Sequence, residues 1–336
     1  MTTQPSNRRT VKKFLVTGAQ GFIGAWIVKT LVERGDEPVV FDLSKESRRL
    51  QAIMTAEELA RVTFIEGDIT ELAPLERAVA ENGITHIIHL AGLQIPLCAA
   101  DPIRGAKVNV IGTLNVFEVA RRRPDLVKRI AYASSAAVYG PAEAYEGGRV
   151  AENARLLPAT HYGVFKQCNE GNAAVYFKDA GISSAGLRPL TLYGVGRDFG
   201  LTSGPTKAIK AAIVGRPYTI KFTGATNMPY IRDCAEIFIR CAEMELPGAR
   251  VYAVRGVVID MAEFIKTLEA LEPRARGLVR AEGPHLPIAA DLDDSALRRD
   301  LGEVPMTPLE EGIRETATIF DRLQREGRLD TQDLEV

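Results

Sequence analysis

The stretch Thr17-Gly-Ala-Gln-Gly-Phe-Ile-Gly24 constrains this chain more than any other part of it. Gly18, Gly21 and Gly24 stand three apart, between the apolar run Phe14-Leu-Val-Thr17 and a helix-like segment over 22–34. A strand that turns sharply into a helix needs glycine, which accepts positive φ and lets backbone amides approach a ligand closely. The helix start adds a dipole that favours negative charge. Alone, the spacing would read as a glycine-rich turn. Placed directly after a first strand, it reads as a cradle for a pyrophosphate.

The rest of the chain repeats the strand–helix rhythm. Apolar runs over 38–42, 62–66, 86–90, 129–133 and 183–187 alternate with helical patterns over 71–82, 102–122 and 160–180. This alternation predicts right-handed βαβ crossovers and an α/β, doubly wound, mostly parallel sheet covered on both faces. After Leu187 the rhythm breaks. Residues 189–205 are rich in Gly, Pro and Thr, and shorter elements follow: helices over 205–214 and 233–244, and a strand over 218–222. Thr307-Pro-Leu-Glu310 reads as a helix N-cap with Pro at the first position and a capping-box Glu. The expected organisation is a dinucleotide-binding domain over 11–190, with 227–258 returning to it, and a smaller α/β substrate-binding cap over 191–226 and 259–330. Residues 1–10 are expected to form a flexible tail. With 336 residues, 46% of them hydrophobic, there is ample material for a large core. Lys+Arg number 42 and Asp+Glu 43, so no basic surface for nucleic acid is expected. No apolar run has the length of a membrane span, and the first ten residues lack the apolar core of a signal peptide. Cys98, Cys168, Cys234 and Cys241 include no CxxC pair, which predicts reduced thiols and a cytoplasmic protein.

Asp42 ends the second strand, where a carboxylate can bond the adenosine ribose hydroxyls and repel a ribose phosphate. It favours NAD over NADP, although Arg48 and Arg49 nearby leave NADP open. Its other reading is a solvent-facing strand end. Asp68 ends the third strand, where an adenine would lie, or is a turn aspartate after Gly67. Tyr162 and Lys166 share one face of a helix, and a cationic lysine near a phenol lowers its pKa. Such a tyrosine can exchange a proton with a carbinol near neutral pH. The spacing is common by chance. Ser135, at the carboxyl end of the fifth strand, adds weight because ligands bind at sheet ends in this architecture. His86 and His89 are expected to pack or to make hydrogen bonds, not to hold a metal. Trp26 and Phe117 are expected to pack on the sheet.

Together, Gly18-x-x-Gly21-x-x-Gly24, Asp42, Asp68, His89-Leu-Ala-Gly92, Asn109, Ser135 and Tyr162-x-x-x-Lys166 resemble the extended short-chain dehydrogenase/reductase superfamily, in particular its NAD-dependent epimerase/dehydratase branch. The likeness runs over about 12–325, through Leu187-Arg-Pro, Tyr193-Gly194, Gly215-Arg-Pro217, Tyr230-Ile-Arg-Asp233 and Thr307-Pro-Leu-Glu-Glu-Gly312. It implies a Rossmann domain, hydride exchange with bound NAD, Ser135/Tyr162/Lys166 catalysis, and a homodimer. It implies that Asn109 supports Lys166 through a water. It also implies that Gly18, Gln20, Gly21, Phe22, Ile23, Gly24, Asp42, Asp68, Ile69, Leu90, Ala91, Gly92, Tyr162, Lys166 and Pro189 hold the cofactor.

Departures from the family pattern bear on the substrate. Nucleotide-sugar epimerases of the family carry asparagines matching Thr191 and about Gly204, and often an arginine matching Thr226. Two phosphates need several donors when desolvated. Ser135 is followed by Ala136-Ala137, so no acid is placed to drive elimination as in the dehydratases. The expected activity is therefore hydride transfer at a secondary alcohol of a free sugar or sugar-acid, as an epimerase or a dehydrogenase. Candidate substrate contacts are Gln94, Ser134, Ser135, Tyr139, Thr191 and Arg232, although a surface ion pair is the commoner role for Arg232. A UDP-sugar 4-epimerase and a non-catalytic NAD sensor are the alternatives.

Overall fold

The computed structural model describes residues 12–146 and 149–335. The expected flexible tail over 1–10 lies outside them. The first half runs β1 (Lys13–Thr17), α1 (Phe22–Glu33), β2 (Glu37–Asp42), α2 (Arg48–Ile53), α3 (Ala56–Leu59), β3 (Thr63–Glu66), α4 (Leu72–Asn82) and β4 (His86–His89). It continues through α5 (Ile95–Ala100), α6 (Pro102–Ala106), a π-helical turn Lys107–Ile111, α7 (Gly112–Arg122), β5 (Arg129–Ala133), β6 (Arg149–Val150), α8 (His161–Ala180) and β7 (Ser184–Arg188). Then come α9 (Gly204–Val214), β8 (Tyr218–Ile220), β9 (Ala225–Met228), α10 (Ile231–Glu243), β10 (Ala249–Ala253) and β11 (Val257–Asp260). The last elements are α11 (Met261–Leu271), β12 (Val279–Ala281), β13 (Asp291–Leu292), α12 (Ser295–Leu301) and α13 (Leu309–Arg325).

Seven strands form one sheet in the order β10-β7-β5-β4-β1-β2-β3, and every pairing in it is parallel. The strand order reverses between β1 and β4, which opens a crevice at the carboxyl ends of the strands. The apolar runs behave as expected of strands covered on both faces: β7 is buried at every position and β1 at four of five. Helix α1 buries eight residues around most of its circumference because it lies between the sheet and α10. Three small two-stranded sheets, β11-β9, β12-β8 and β13-β6, lie outside the main sheet.

Two expectations change. The helix expected over 102–122 contains the π-helical turn, and Asn109 sits in it. Thr307 does not cap α13. Its N–H and hydroxyl both donate to the Asp233 carboxylate, at 2.6 and 2.8 Å, and the helix starts after Pro308. The Asp233 carboxylate holds both Thr307 groups, and the hydroxyl oxygen takes no amide of α13.

Candidate active site

A cavity of about 730 Å³ occupies the crevice. Its walls come from the carboxyl ends of β1, β2, β3, β4, β5 and β7, closed over by Arg197, Leu201, Thr202, Leu286 and Ile288. At one end the glycine turn packs tightly. Gly18 has φ +66°, and a Cβ there would come within 2.6 Å of the Ala91 amide nitrogen. Helix α1 starts at Gly21 without a side-chain cap, so its first amides are free to meet an anion. Asp42 Oδ2 accepts from the Gln20 amide at 3.0 Å, which holds the carboxylate at the turn. Asp68 Oδ1 accepts from the Thr70 amide and hydroxyl, both at 2.9 Å, so it is a turn aspartate that also lines the cavity.

At the other end Ser135, Tyr162 and Lys166 meet. The start of α8 lies hard against the Ser135 loop, because a Cβ on Gly163 would come within 2.3 Å of the Ala137 carbonyl oxygen. Lys166 Nζ donates to the Ala133 carbonyl at 2.7 Å and stands 5.4 Å from the centre of the Tyr162 ring. Burial pulls its pKa down to about 8, against the opposing pull of Cys98 and Glu170. Burial pushes the Tyr162 phenol up, while hydrogen bonding to Ser135 and the charge of Arg197 pull it down. Lys166 Nζ thus lies over the phenol ring while it donates to the Ala133 carbonyl, and Arg197 is a second cation whose charge favours the phenolate.

Asn109 is buried beneath this end. Its Nδ2 donates to the Gly105 and Leu93 carbonyls at 3.0 and 3.3 Å, while its Oδ1 is shielded from solvent and has no partner. A Cβ on Gly92 would lie 2.7 Å from that oxygen and 3.7 Å from Lys166 Nζ, so both border one small space. An orphaned buried acceptor beside an ammonium suits an ordered water between them. The π-helical turn turns Asn109 towards Lys166, as such bulges often do at functional sites.

The sequence matches the NAD dependent epimerase/dehydratase family over residues 14–254. The chain belongs to that family. It is 29% identical over 316 residues to the UDP-glucose 4-epimerase of Mycolicibacterium smegmatis, covering 91% of this chain and 97% of that protein. Among solved structures, a partial consensus L-threonine 3-dehydrogenase superposes with a TM-score of 0.80 at 25% identity, over 92% of this chain and 99% of the other. The UDP-glucose 4-epimerase of Thermus thermophilus, solved with NAD, gives 0.77 at 26% identity over 92% and 98%. The protein is an NAD-dependent enzyme of the extended short-chain dehydrogenase/reductase type, an epimerase or dehydrogenase.

The residues present fit the NAD that this family uses: a glycine cradle, an uncapped helix start and a carboxylate at the end of β2. Every residue expected to hold cofactor lines the cavity, as do Gln94, Ser134 and Ser135. Three expected substrate contacts do not. Tyr139 is buried and accepts from Arg188 Nη1 at 2.5 Å. Thr191 is buried and its hydroxyl bonds that of Thr226 at 2.6 Å, which satisfies both and turns them away from the cavity. Arg232 lies at the surface, paired with Glu315 at 2.8 Å. A Cβ on Gly204 would meet Ile220 at 2.8 Å, so that position faces core. Thr191, Gly204 and Thr226 therefore say nothing about which donors a substrate would meet.

His89 joins the Thr17 and Thr113 hydroxyls at 2.7 and 3.0 Å, and burial lowers its pKa to about 3. No cluster of His, Cys, Asp and Glu among the described residues has the geometry of a metal site. Two features were invisible in the sequence. Beneath Ser134 lies a buried ion pair: Glu170 accepts from Arg188 Nε and Nη2 at 2.7 and 2.6 Å, and from the Ser134 hydroxyl at 2.5 Å. The second is Arg197, which had no motif around it to single it out.

Proposed function

We propose that the enzyme moves hydride between NAD and a secondary alcohol of a sugar or sugar-acid small enough to need no nucleotide. One observation carries this reading: Ser135, Tyr162 and Lys166, from separate segments, meet at one end of a cavity whose other end is a glycine cradle. Tyr162 takes the proton from the carbinol oxygen, and the Ser135 hydroxyl donates to that oxygen. Lys166 holds the nicotinamide ribose and, through a water on Asn109 Oδ1, passes the proton on; a pKa of about 8 suits that exchange. NAD, when bound, supplies the hydride acceptor. Gln94 and Ser134 border the substrate.

The UDP-glucose 4-epimerase relatives favour a second reading, a UDP-sugar epimerase. Calorimetry of the NAD-loaded protein with UDP and UDP-glucose separates the two. Binding no tighter than millimolar is expected, and micromolar UDP binding would restore the UDP-sugar reading. Net reduction of NAD marks a dehydrogenase, and turnover without it an epimerase. We also propose a homodimer through α5 to α8, where Leu97, Ile103, Ile111, Val164 and Val175 expose apolar side chains, and a reducing, cytoplasmic setting, given four free cysteines. Sedimentation of the NAD-loaded protein as a monomer would remove the dimer.

A further inference from the structure

Arg197 stands on the loop between β7 and α9, and that loop is tied down. Trp26 Nε1 donates to the Val195 carbonyl at 2.9 Å and Arg49 Nε to that of Gly196 at 3.1 Å. The Gly194 amide donates to the Thr206 hydroxyl at 3.1 Å, and Arg197 Nη2 to that of Thr202 at 2.9 Å. The guanidinium lines the cavity with its carbon 5.9 Å from the centre of the Phe22 ring. Its Nε is shielded from solvent and has no hydrogen-bond partner. No carboxylate among the described residues lies within ion-pair distance of it. The adjacent Asp198 is taken by Arg48 and Arg49, at 3.1 and 2.6 Å. A partly buried cation without a direct ion pair is costly to keep in a fold. Here it is held in place on the cavity that Tyr162 also lines.

A second residue borders the same space. A Cβ on Gly200 would come within 2.3 Å of Gln94 Oε1 and 3.4 Å of Arg197 Nη2. A guanidinium without an ion pair, beside a Gln94 amide that can turn its Nε2–H to the cavity, makes a donor set for one flat anion. We infer that Arg197, with Gln94 beside it, binds the carboxylate of a hydroxy-acid substrate whose secondary alcohol faces Tyr162. This rests on the hydride-transfer reading above and narrows it to acids. The cofactor pyrophosphate has its own donors at the uncapped start of α1. A planar fork matches a carboxylate in two parallel hydrogen bonds.

The test uses the NAD-loaded full chain. Probes are glucuronate, galacturonate, gluconate and threonate, their neutral counterparts glucose, galactose, glucitol and threitol, and UDP-glucose. Turnover is followed by reduced nicotinamide and by chromatography of products, and NAD affinity is measured separately. At least one acid should exceed its neutral counterpart in kcat/KM by at least about tenfold. Arg197→Gln should lower the value for that acid about a hundredfold and abolish the preference, with NAD affinity within about threefold of the unmodified protein. Arg197→Lys should recover part of the loss, which a folding defect would not allow. Equal use of acid and neutral substrates overturns the proposal, as does an acid preference that survives Arg197→Gln. So does a tenfold or greater loss of NAD affinity in that variant, which would make Arg197 a cofactor clamp. Turnover of UDP-glucose that needs Tyr162 but ignores Arg197 sinks the carboxylate site and leaves the chemistry standing. Acid turnover that survives Tyr162→Phe sinks the chemistry itself.

Discussion

The two ends of the cavity are made of different materials. At the cofactor end the chain offers backbone: glycines that let strand, turn and helix close up, and helix amides left without a cap. At the substrate end it offers side chains carried in from segments far apart, namely Gln94, Ser134, Tyr162, Lys166 and Arg197. Backbone recognition needs only a short run of residues with the right conformational freedom, so it is written as a motif. Side-chain recognition needs several packed elements to agree. It is therefore more exposed to substitution and freer to diverge. The comparison predicts that changes at the substrate end cost more, because charge is buried there.

The largest effect should come from Glu170→Ala, which strands the Arg188 guanidinium in a site where the paired side chains are 5% and 7% exposed. Breaking such a pair costs about 3–5 kcal/mol. Chemical denaturation should show that loss, and an unchanged midpoint would mean that the pair adds nothing to the substrate end. Tyr162→Phe comes next. Turnover should fall at least about a hundredfold, near 2.7 kcal/mol, with NAD affinity barely changed. If turnover and NAD affinity fall together, the two ends are not separable. Asp42→Ala acts on the cofactor end and should be milder. The preference for NAD over NADP, expected at about tenfold or 1.4 kcal/mol, should narrow. Equal affinity for both cofactors in the unmodified protein would break the role given to Asp42.

The smallest effect is on stability against pH, and here the two regions oppose each other. In the sheet, burial lowers His86 to about 4 and His89 to about 3, both below the ordinary 6.5. From pH 6.5 downwards the unfolded chain binds protons there that the folded chain does not, so stability falls with acid. Near β10, burial raises Glu152 to about 7, partly offset by the Ala253 amide that donates to it at 3.1 Å. The folded chain then binds the extra proton between pH 4.5 and 7, so this group gains stability as pH drops. Two histidines against one glutamate predict a net fall in the denaturation midpoint from pH 6.5 to 4.5. Glu152→Gln should steepen that fall, and a midpoint that rises instead would reverse the ranking.

Much of this was legible in the chain itself. The glycine spacing, the apolar runs and Asp42 fall where short-range rules place them, and each strand of the main sheet up to β7 lies within a residue or two of its expected span. Ser135 and Tyr162-x-x-x-Lys166 were legible as residues, but not as neighbours of Arg197. The short helices α2, α3, α5 and α12 are too brief for a helical period to show, and the sequence reading also lacks the longer α11 and the edge strand β10. The cap to α13 was misread because Asp233, far away in the sequence, claims Thr307.

By itself, then, the sequence determined the parallel sheet, the glycine turn and the residue types that handle hydride and proton, because backbone conformation and hydrophobic period act over a few residues. Only the tertiary structure decided which polar side chains face the cavity. Thr191 and Thr226 satisfy each other, Arg232 finds Glu315, and Asp198 is drawn off by Arg48 and Arg49, leaving Arg197 at the cavity wall without an ion pair. A polar group pairs with whatever the fold brings within about 3 Å of it, and that choice is made among residues scores of positions apart.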